Sequence, residues 1–518
     1  MRIRNSHKSY RDVLTLIGAV ALALPMTTSA AGLVWNNGSA TGSWNNTDAN
    51  WTGAVWNNVT PDSALFNTVG GIINLSMPIT AGSVTFSNTP FVTADFTSTT
   101  FTNNSLQAGS LTVQGAGNNG SSYSSNPTLT IGNPVSITGD VAVGRANLTI
   151  AGGTLAANRI VAAAGSYDWA DVTITNATVW ATNGVDGSVN ATAPATFQLD
   201  LNGGSLYTPY LKVADRESSG TAWFNWNGGT LVATADTNNY IQVYQGSGAT
   251  YGTNSYIGNS GAIINTYDGI AGHTITIGVN LKPATSSTGG LTKLGPGTLT
   301  LSGVNTFTGA TAINAGTLTI GGSGQLGGGS YAGAIINNGL LKYNSSAAQI
   351  LSGVISGNGP LIEVGSGTLT LTTSSNTYSG GTTVAAGILA MGADYGANEN
   401  SGSLGSGNVS ISGGGQFRFG GTSGYPVVYY YFPSANNFTL PSRRVIPSRP
   451  RSMTCSLTSA WAAARRRRNL SAWATRLRWR MNLTFCAAIW RWDGRLTTGS
   501  ARSPWQRRYA CSRNPRLN

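Results

Sequence analysis

Gly297-Thr298-Leu299-Thr300-Leu301 returns nineteen residues later as Gly316-Thr317-Leu318-Thr319-Ile320. The pattern comes back at Gly339-Leu340-Leu341-Lys342-Tyr343, at Gly367-Thr368-Leu369-Thr370-Leu371 and at Gly387-Ile388-Leu389-Ala390-Met391. The intervals are 19, 23, 28 and 20 residues. Inside each unit the apolar residues alternate, so they share one side of a strand. Thr298 and Thr300 are β-branched and suit extended backbone. So short a strand cannot bury its apolar side alone, and stacked copies at a fixed period can. Rungs about 4.8 Å apart predict Leu318 over Leu299, Ile320 over Leu301, and Thr317 over Thr298 on the outside. The expected fold is all-β, a parallel β-helix.

Weaker copies run upstream. Leu129-Thr130-Ile131 and Leu148-Thr149-Ile150 are again nineteen apart. Val84-Thr85-Phe86 and Leu111-Thr112-Val113 fit the same mould, and Gly203-Gly204-Ser205-Leu206 recurs as Gly228-Gly229-Thr230-Leu231. Gly295, Gly297 and Gly303 punctuate the run and permit corners. Asn337-Asn338-Gly339 is expected to form a stacked amide ladder. An antiparallel sandwich is the rival fold, but it needs hairpin turns where the chain repeats in one sense. Disorder is excluded by the regular recurrence of Val, Ile and Leu.

The longest units resemble the autotransporter-associated β-strand repeat. The first runs from Gly289-Gly290-Leu291-Thr292-Lys293-Leu294-Gly295-Pro296-Gly297 through Asn305-Thr306-Phe307-Thr308-Gly309 to Asn314-Ala315-Gly316. The second runs from Gly359 to Met391 and keeps Asn376-Thr377-Tyr378-Ser379-Gly380-Gly381-Thr382. The resemblance covers 289–322 and 359–393. It implies a right-handed β-helix in the passenger region of secreted or surface proteins, and passage through an outer membrane. It brings no catalytic residue. Neither the β-barrel typical of autotransporters nor the sorting tail with a Pro-Glu-Pro motif common on related repeat proteins is expected within residues 1–518.

Residues 1–31 read as an export signal. Arg2, Arg4, Lys8 and Arg11 precede the apolar run Val13 to Leu24, and Ser29-Ala30-Ala31 precedes Gly32 as a cleavage site. The run is too short to span a bilayer comfortably. Residues 32–80 hold Trp35, Trp44, Trp51 and Trp56 and are expected to cap the open end of the coil. A sugar-stacking cluster is the other reading of those rings. Residues 81–440 are expected to form the β-helix itself. The protein is therefore expected on the outside of a bacterium.

The net charge of +13 belongs to one end. Residues 32–440 carry eight basic and fifteen acidic side chains, whereas 441–518 carry eighteen arginines, no lysine and one acid. That tail also holds six tryptophans and all three cysteines, Cys455, Cys486 and Cys511. Such an excess is what a GC-rich gene yields out of frame, so the tail is expected to be frameshifted near Leu440 and disordered. Arg465 to Arg468, with Trp473 and Trp479, would alternatively suit nucleic acid or anionic lipid. Nucleic acid is a poor partner for an exported protein.

No grouping stands out as catalytic, cofactor-binding or metal-binding, so no such residue and no cofactor is expected. Asp168 and Asp171 beside Trp169, and Asp215-Arg216-Glu217, are the nearest approach to paired carboxylates for acid–base chemistry. His273 is the body's single histidine, without Cys or His partners for zinc. Gly322-Ser323-Gly324-Gln325-Leu326-Gly327 spells a phosphate-loop string in a chain with 69 glycines, without a helix to follow. Two functions remain. One is a structural, adhesive passenger without catalysis, whose partners are extracellular polysaccharide, matrix or surface proteins and the export machinery. The other is a polysaccharide lyase or glycosidase on the same coil. No transmembrane helix is expected.

Overall fold

Alternation in the strands becomes alternation in space. Along Thr298–Leu301 the leucines are buried and the threonines face outward. Their register on the next strand sets Thr298 beside Thr317, Leu299 beside Leu318 and Leu301 beside Ile320. In this computed structural model the described residues are 32–419, without 37–42, 48–49, 53–54, 59–60, 68–70, 88–98, 116–127, 164–168, 188–195, 215–220, 244–253 and 393–402. Beyond them only the strands Phe438–Thr439, Ala487–Trp492 and Trp505–Ala510 are described. The leader 1–31 lies outside the described residues, as does the tail 441–518 apart from its two strands.

The chain is a parallel β-helix. Three sheets of nine, ten and twelve strands wrap one core, and sheets of eight and five strands continue it toward the C-terminal side. Successive strands visit the sheets in turn, and among the described residues every ladder in the unit 1–459 is parallel. Antiparallel contacts there are the isolated bridges Trp35–Trp51 and Tyr267–Gly272. The upstream copies stack as expected: Leu129 pairs with Leu148, Val84 with Leu111, and Leu206 with Leu231. Helix is limited to one 3-10 turn at Gly327–Gly329 among the described residues. No described helix is long and apolar enough to cross a membrane. The unit 460–518 contains an antiparallel pair, Ala487–Trp492 with Trp505–Ala510.

For orientation we call the ten-stranded sheet and its five-stranded continuation the first face. The twelve-stranded sheet is the second face, and the nine- and eight-stranded sheets are the third. The eight-stranded sheet takes over from the nine-stranded one at the Thr237–Ile275 bridge.

One spacing has a meaning the sequence hides. Thr298–Leu301, Thr317–Gly322 and Leu340–Ser345 stack on the third face. Above Leu341 comes Leu361, and Thr368–Leu371 lies on the first face, paired with Gln349–Leu351 and Ile388–Met391. The 28-residue interval is therefore one coil plus a step to the next face.

At the N-terminal end the four tryptophans are buried and interlock. Trp44 and Trp56 meet edge to face at 4.8 Å, and Trp35 and Trp51 at 5.1 Å. Phe66 carries the cluster inward onto Phe86, stacked at 4.6 Å. Rings packed this way cover the core and present no open face to a sugar. The Trp56 indole N–H donates to Asn58 Oδ1, and the Asn58 amide donates to Pro78 O, which ties the aromatic cluster to the chain twenty residues on.

Candidate functional site

Because side chains alternate, each face has an outer row that the core does not use. The first face carries the richest one. Phe224 and Trp226 point inward from Thr221–Trp226, and so Trp223 and Asn225 point outward. Register aligns Asn147, Asp171, Gln198 and Trp223 in one outer line. Thr149, Thr173, Asp200, Asn225, Tyr256 and Lys282 form the line beside it.

Hydrogen bonds knit the two lines. Gln198 Nε2 donates to Asp200 Oδ2 at 2.9 Å, and Asn225 Nδ2 donates to Asp200 Oδ1 at 2.6 Å. Asn147 Nδ2 donates to Thr128 Oγ1 at 3.1 Å. Burial pushes the Asp171 carboxyl up, and the neighbouring Asp200 charge adds to it. Both Asp200 oxygens accept amide N–H groups. Asp168, near Asp171 in the sequence, lies outside the described residues, as do Asp215, Arg216 and Glu217. The carboxylate beside Asp171 is Asp200, one coil away.

On the third face Arg159 spans two coils. It meets Asp140 at 2.6 Å and Asp186 at 3.3 Å. The Arg159 guanidinium holds the Asp140 carboxyl below its ordinary range, helped by the Asn158 amide. Asn183 Nδ2 donates to Asn158 Oδ1 at 2.6 Å, and Asn158 Nδ2 to Asp140 Oδ1 at 2.7 Å. The amide ladder thus runs here. The Asn337 amide is buried and donates to Pro360 O instead. Pro360 O also accepts the Leu341 N–H, so the buried Asn337 side chain adds a second bond to one carbonyl of the next coil.

The second face carries Trp180 over Tyr207, stacked at 3.6 Å and 16°. His273 sits between two acids: Nδ1 is 3.5 Å from Asp236 and Nε2 is 3.2 Å from Asp268, the latter off the line of a hydrogen bond. Burial pushes Asp268 up, but the N–H groups of Ala271 and Ile270 and the His273 ring bring it below its ordinary value. Its acids approach opposite ring nitrogens, so they do not converge on one point. Among the described residues no three His, Cys, Asp or Glu side chains group so as to hold a metal. The glycine string 322–327 closes the strand Thr317–Gly322 and enters the 3-10 turn; no phosphate-cradling helix follows.

Residues 291–320 and 361–391 match the passenger-associated-transport-repeat family. The chain carries autotransporter-associated repeats. A stretch of 162 residues is 32% identical to the adhesin BmaC autotransporter of Brucella suis biovar 1 (strain 1330), taking in 27% of this chain and 4% of that protein. The chain thus spans a small fraction of the length of the curated relative it matches. No solved structure matches it.

Proposed function

We propose that this chain is an exported surface passenger that adheres to extracellular polysaccharide through the outer side of its first face, and that it works without catalysis. The observation that carries it is the line Asp171, Gln198 and Trp223 beside Asp200 and Asn225. Carboxylate and amide groups in a plane match the paired hydroxyls of a sugar. An adjacent indole offers an apolar surface with a polar edge. A rigid coil keeps those groups in register along an extended ligand. The repeats and the likeness to an adhesin support the same reading.

Retention on immobilised bacterial and matrix polysaccharides tests it. Trp223→Ala and Gln198→Ala should each weaken binding about tenfold, as expected for the loss of one good contact of roughly 1.4 kcal/mol. Retention no greater than that of an unrelated β-helix would sink adhesion. A cleaving enzyme draws on the Asp171–Asp200 neighbourhood. Release of reducing or unsaturated sugar, lost in Asp171→Ala, would establish that instead.

Export by the leader predicts a secreted chain that begins at Gly32. The tail 441–518 is read as out of frame. Recovery of tail peptides by mass spectrometry, with an intact frame across codons for 425–445, would refute that.

A further inference from the structure

The two repeats place opposite charges at one buried position. Lys293 and Glu363 stand third in Leu291–Leu294 and Leu361–Glu363, and both are fully buried. The Lys293 ammonium lies in a cage of oxygens: Thr266 Oγ1 at 2.9 Å, Leu294 O at 2.8 Å, Gly295 O at 2.7 Å and Ala315 O at 3.1 Å. Distances of this length suit ammonium and the alkali cation of the same size, K+.

The second repeat keeps the oxygen donors and replaces the cation. Leu294, Gly295 and Ala315 correspond to Val364, Gly365 and Ala386. Lys293 pairs with Ile264 and Glu363 with Tyr343, so Thr266 corresponds to Ser345, whose buried hydroxyl donates to Gly324 O at 2.8 Å, accepts the Ala347 N–H at 3.1 Å and keeps one lone pair for a cation. The corner is compact in both copies. A Cβ on Gly316 would meet Gly295 O at 2.6 Å, and one on Gly387 would meet Gly365 O at 1.8 Å and Glu363 Oε1 at 3.0 Å. Glu363 Oε1 accepts the Gly365 N–H at 2.9 Å. Glu363 Oε2 is buried without a hydrogen-bond partner among the described residues. A glutamate is one bond shorter than a lysine, so its carboxylate cannot reach where the ammonium nitrogen sits. Oε2 is left a buried acceptor without a donor, which is costly unless a positive charge lies beside it.

We propose that the corner at Glu363 binds a K+ ion, held by Glu363 Oε2, the Ser345 hydroxyl and the carbonyl oxygens of Val364, Gly365 and Ala386, in the role the Lys293 ammonium fills one repeat earlier. Carboxylate and carbonyl oxygens are the donors that hard cations take. The ion neutralises the carboxylate, as burial requires. The facing titratable group is the Tyr343 phenol, which donates to Ala347 O and supplies no positive charge. A proton is the competitor, because burial pushes the Glu363 carboxyl up to about 8.

Thermal unfolding of the full chain at about pH 9 reads this out, with KCl replacing choline chloride at constant ionic strength. The midpoint should rise by about 2 °C and saturate. The rise should shrink at about pH 6, where the proton holds the carboxyl. Glu363→Gln and Glu363→Lys should lose the response, and Glu363→Lys should melt at or above the wild type in K+. A response retained in Glu363→Gln, or a wild type indifferent to K+, would overturn the site. Stabilisation by Na+ or Ca2+ but not K+ would overturn the ion chosen. Should both variants fail to fold, equilibrium dialysis of the wild type against rubidium as a K+ stand-in should show one bound ion per chain; none refutes it.

Discussion

The two repeats are nearly the same sequence built into different sides of the coil. The first sets its strand pairs on the second and third faces, Leu291–Leu294 and Thr311–Ile313 on one, Thr298–Leu301 and Thr317–Gly322 on the other. The second sets Leu361–Glu363 and Thr382–Val384 on the third face, and Thr368–Leu371 and Ile388–Met391 on the first. The motif has advanced by one side between copies. It therefore specifies a pair of rungs and the corner between them, not a particular side of the cylinder. What stays fixed is the corner. Asn305 and Asn376 both bury their amides, each accepting a backbone N–H from the coil below and donating to carbonyls beside or above. What differs is the charge in it, Lys293 against Glu363.

The shared corner should be the least tolerant of change. Gly316 and Gly387 adopt φ of 65° and 63°, and a Cβ at either would sit inside van der Waals contact with backbone. Gly316→Ala and Gly387→Ala should each destabilise by about 3 kcal/mol or more, from left-handed strain plus a clash that only backbone movement relieves. Chemical unfolding would measure it. A loss in only one copy would show that the two corners are not equivalent.

The charged positions should then separate them. Lys293→Met takes the donor from Gly295 O and Ala315 O and should cost about 2–3 kcal/mol. Glu363→Met removes a carboxyl that satisfies one N–H and leaves one oxygen orphaned. In choline buffer at about pH 9 it should be neutral or stabilising by about 1 kcal/mol. Equal losses in the two variants would mean that Glu363 is as well satisfied as Lys293.

Much of this fold can be read from the chain because its rules are local. Leu318 lies over Leu299 since two-residue alternation and a glycine corner leave little other choice. The outer rows could not be read in the same way. Asp171 lies beside Gln198 and close to Asp200 only because that coil is 27 residues long. His273 reaches Asp236 and Asp268, and Arg159 reaches Asp140 and Asp186, across coils of other lengths. Corner loops absorb residues freely, so the lateral neighbour of an outward side chain cannot be counted off. The face change between repeats is hidden for the same reason: it arises in the coils between Ser330–Tyr331 and Ile355–Ser356, where the repeat pattern lapses.

Stability should trace a shallow trough against pH in choline buffer. Glu363 keeps its proton in the folded state up to about 8, against 4.5 ordinarily, so stability falls as pH rises between those values and is flat beyond. Burial pulls the Lys293 ammonium down to about 8 from 10.5, so the unfolded chain holds the extra proton in that window and stability rises with pH through it. The two limbs meet near the shared value of about 8, with a depth on the order of 2 kcal/mol. Glu363→Gln should flatten the acid limb alone, and Lys293→Met the alkaline limb alone. Unfolding midpoints from about pH 5 to 10 decide it, and a limb that survives its own substitution would assign the titration elsewhere.

The smallest contrast concerns one hydroxyl. Tyr378 occupies the place of Phe307, and its phenol bonds the Thr382 hydroxyl at 2.7 Å. Thr311 is the counterpart of Thr382, but Phe307 has no oxygen to offer it. Tyr331 from the following coil fills that need at 2.8 Å and also donates to Gly309 O. One buried threonine is thus satisfied within its repeat and the other by a neighbour. Tyr378→Phe should cost about 1 kcal/mol, and Tyr331→Phe slightly more, because Gly309 O loses a donor as well. Phe307→Tyr combined with Tyr331→Phe moves the hydroxyl to the position it holds in the second repeat. It should recover part of the Tyr331→Phe loss. Recovery at Thr311 without recovery at Gly309 would divide the Tyr331 contribution between its two bonds. No recovery would show that the backbone around Phe307 cannot seat a phenol, despite the matching sequence.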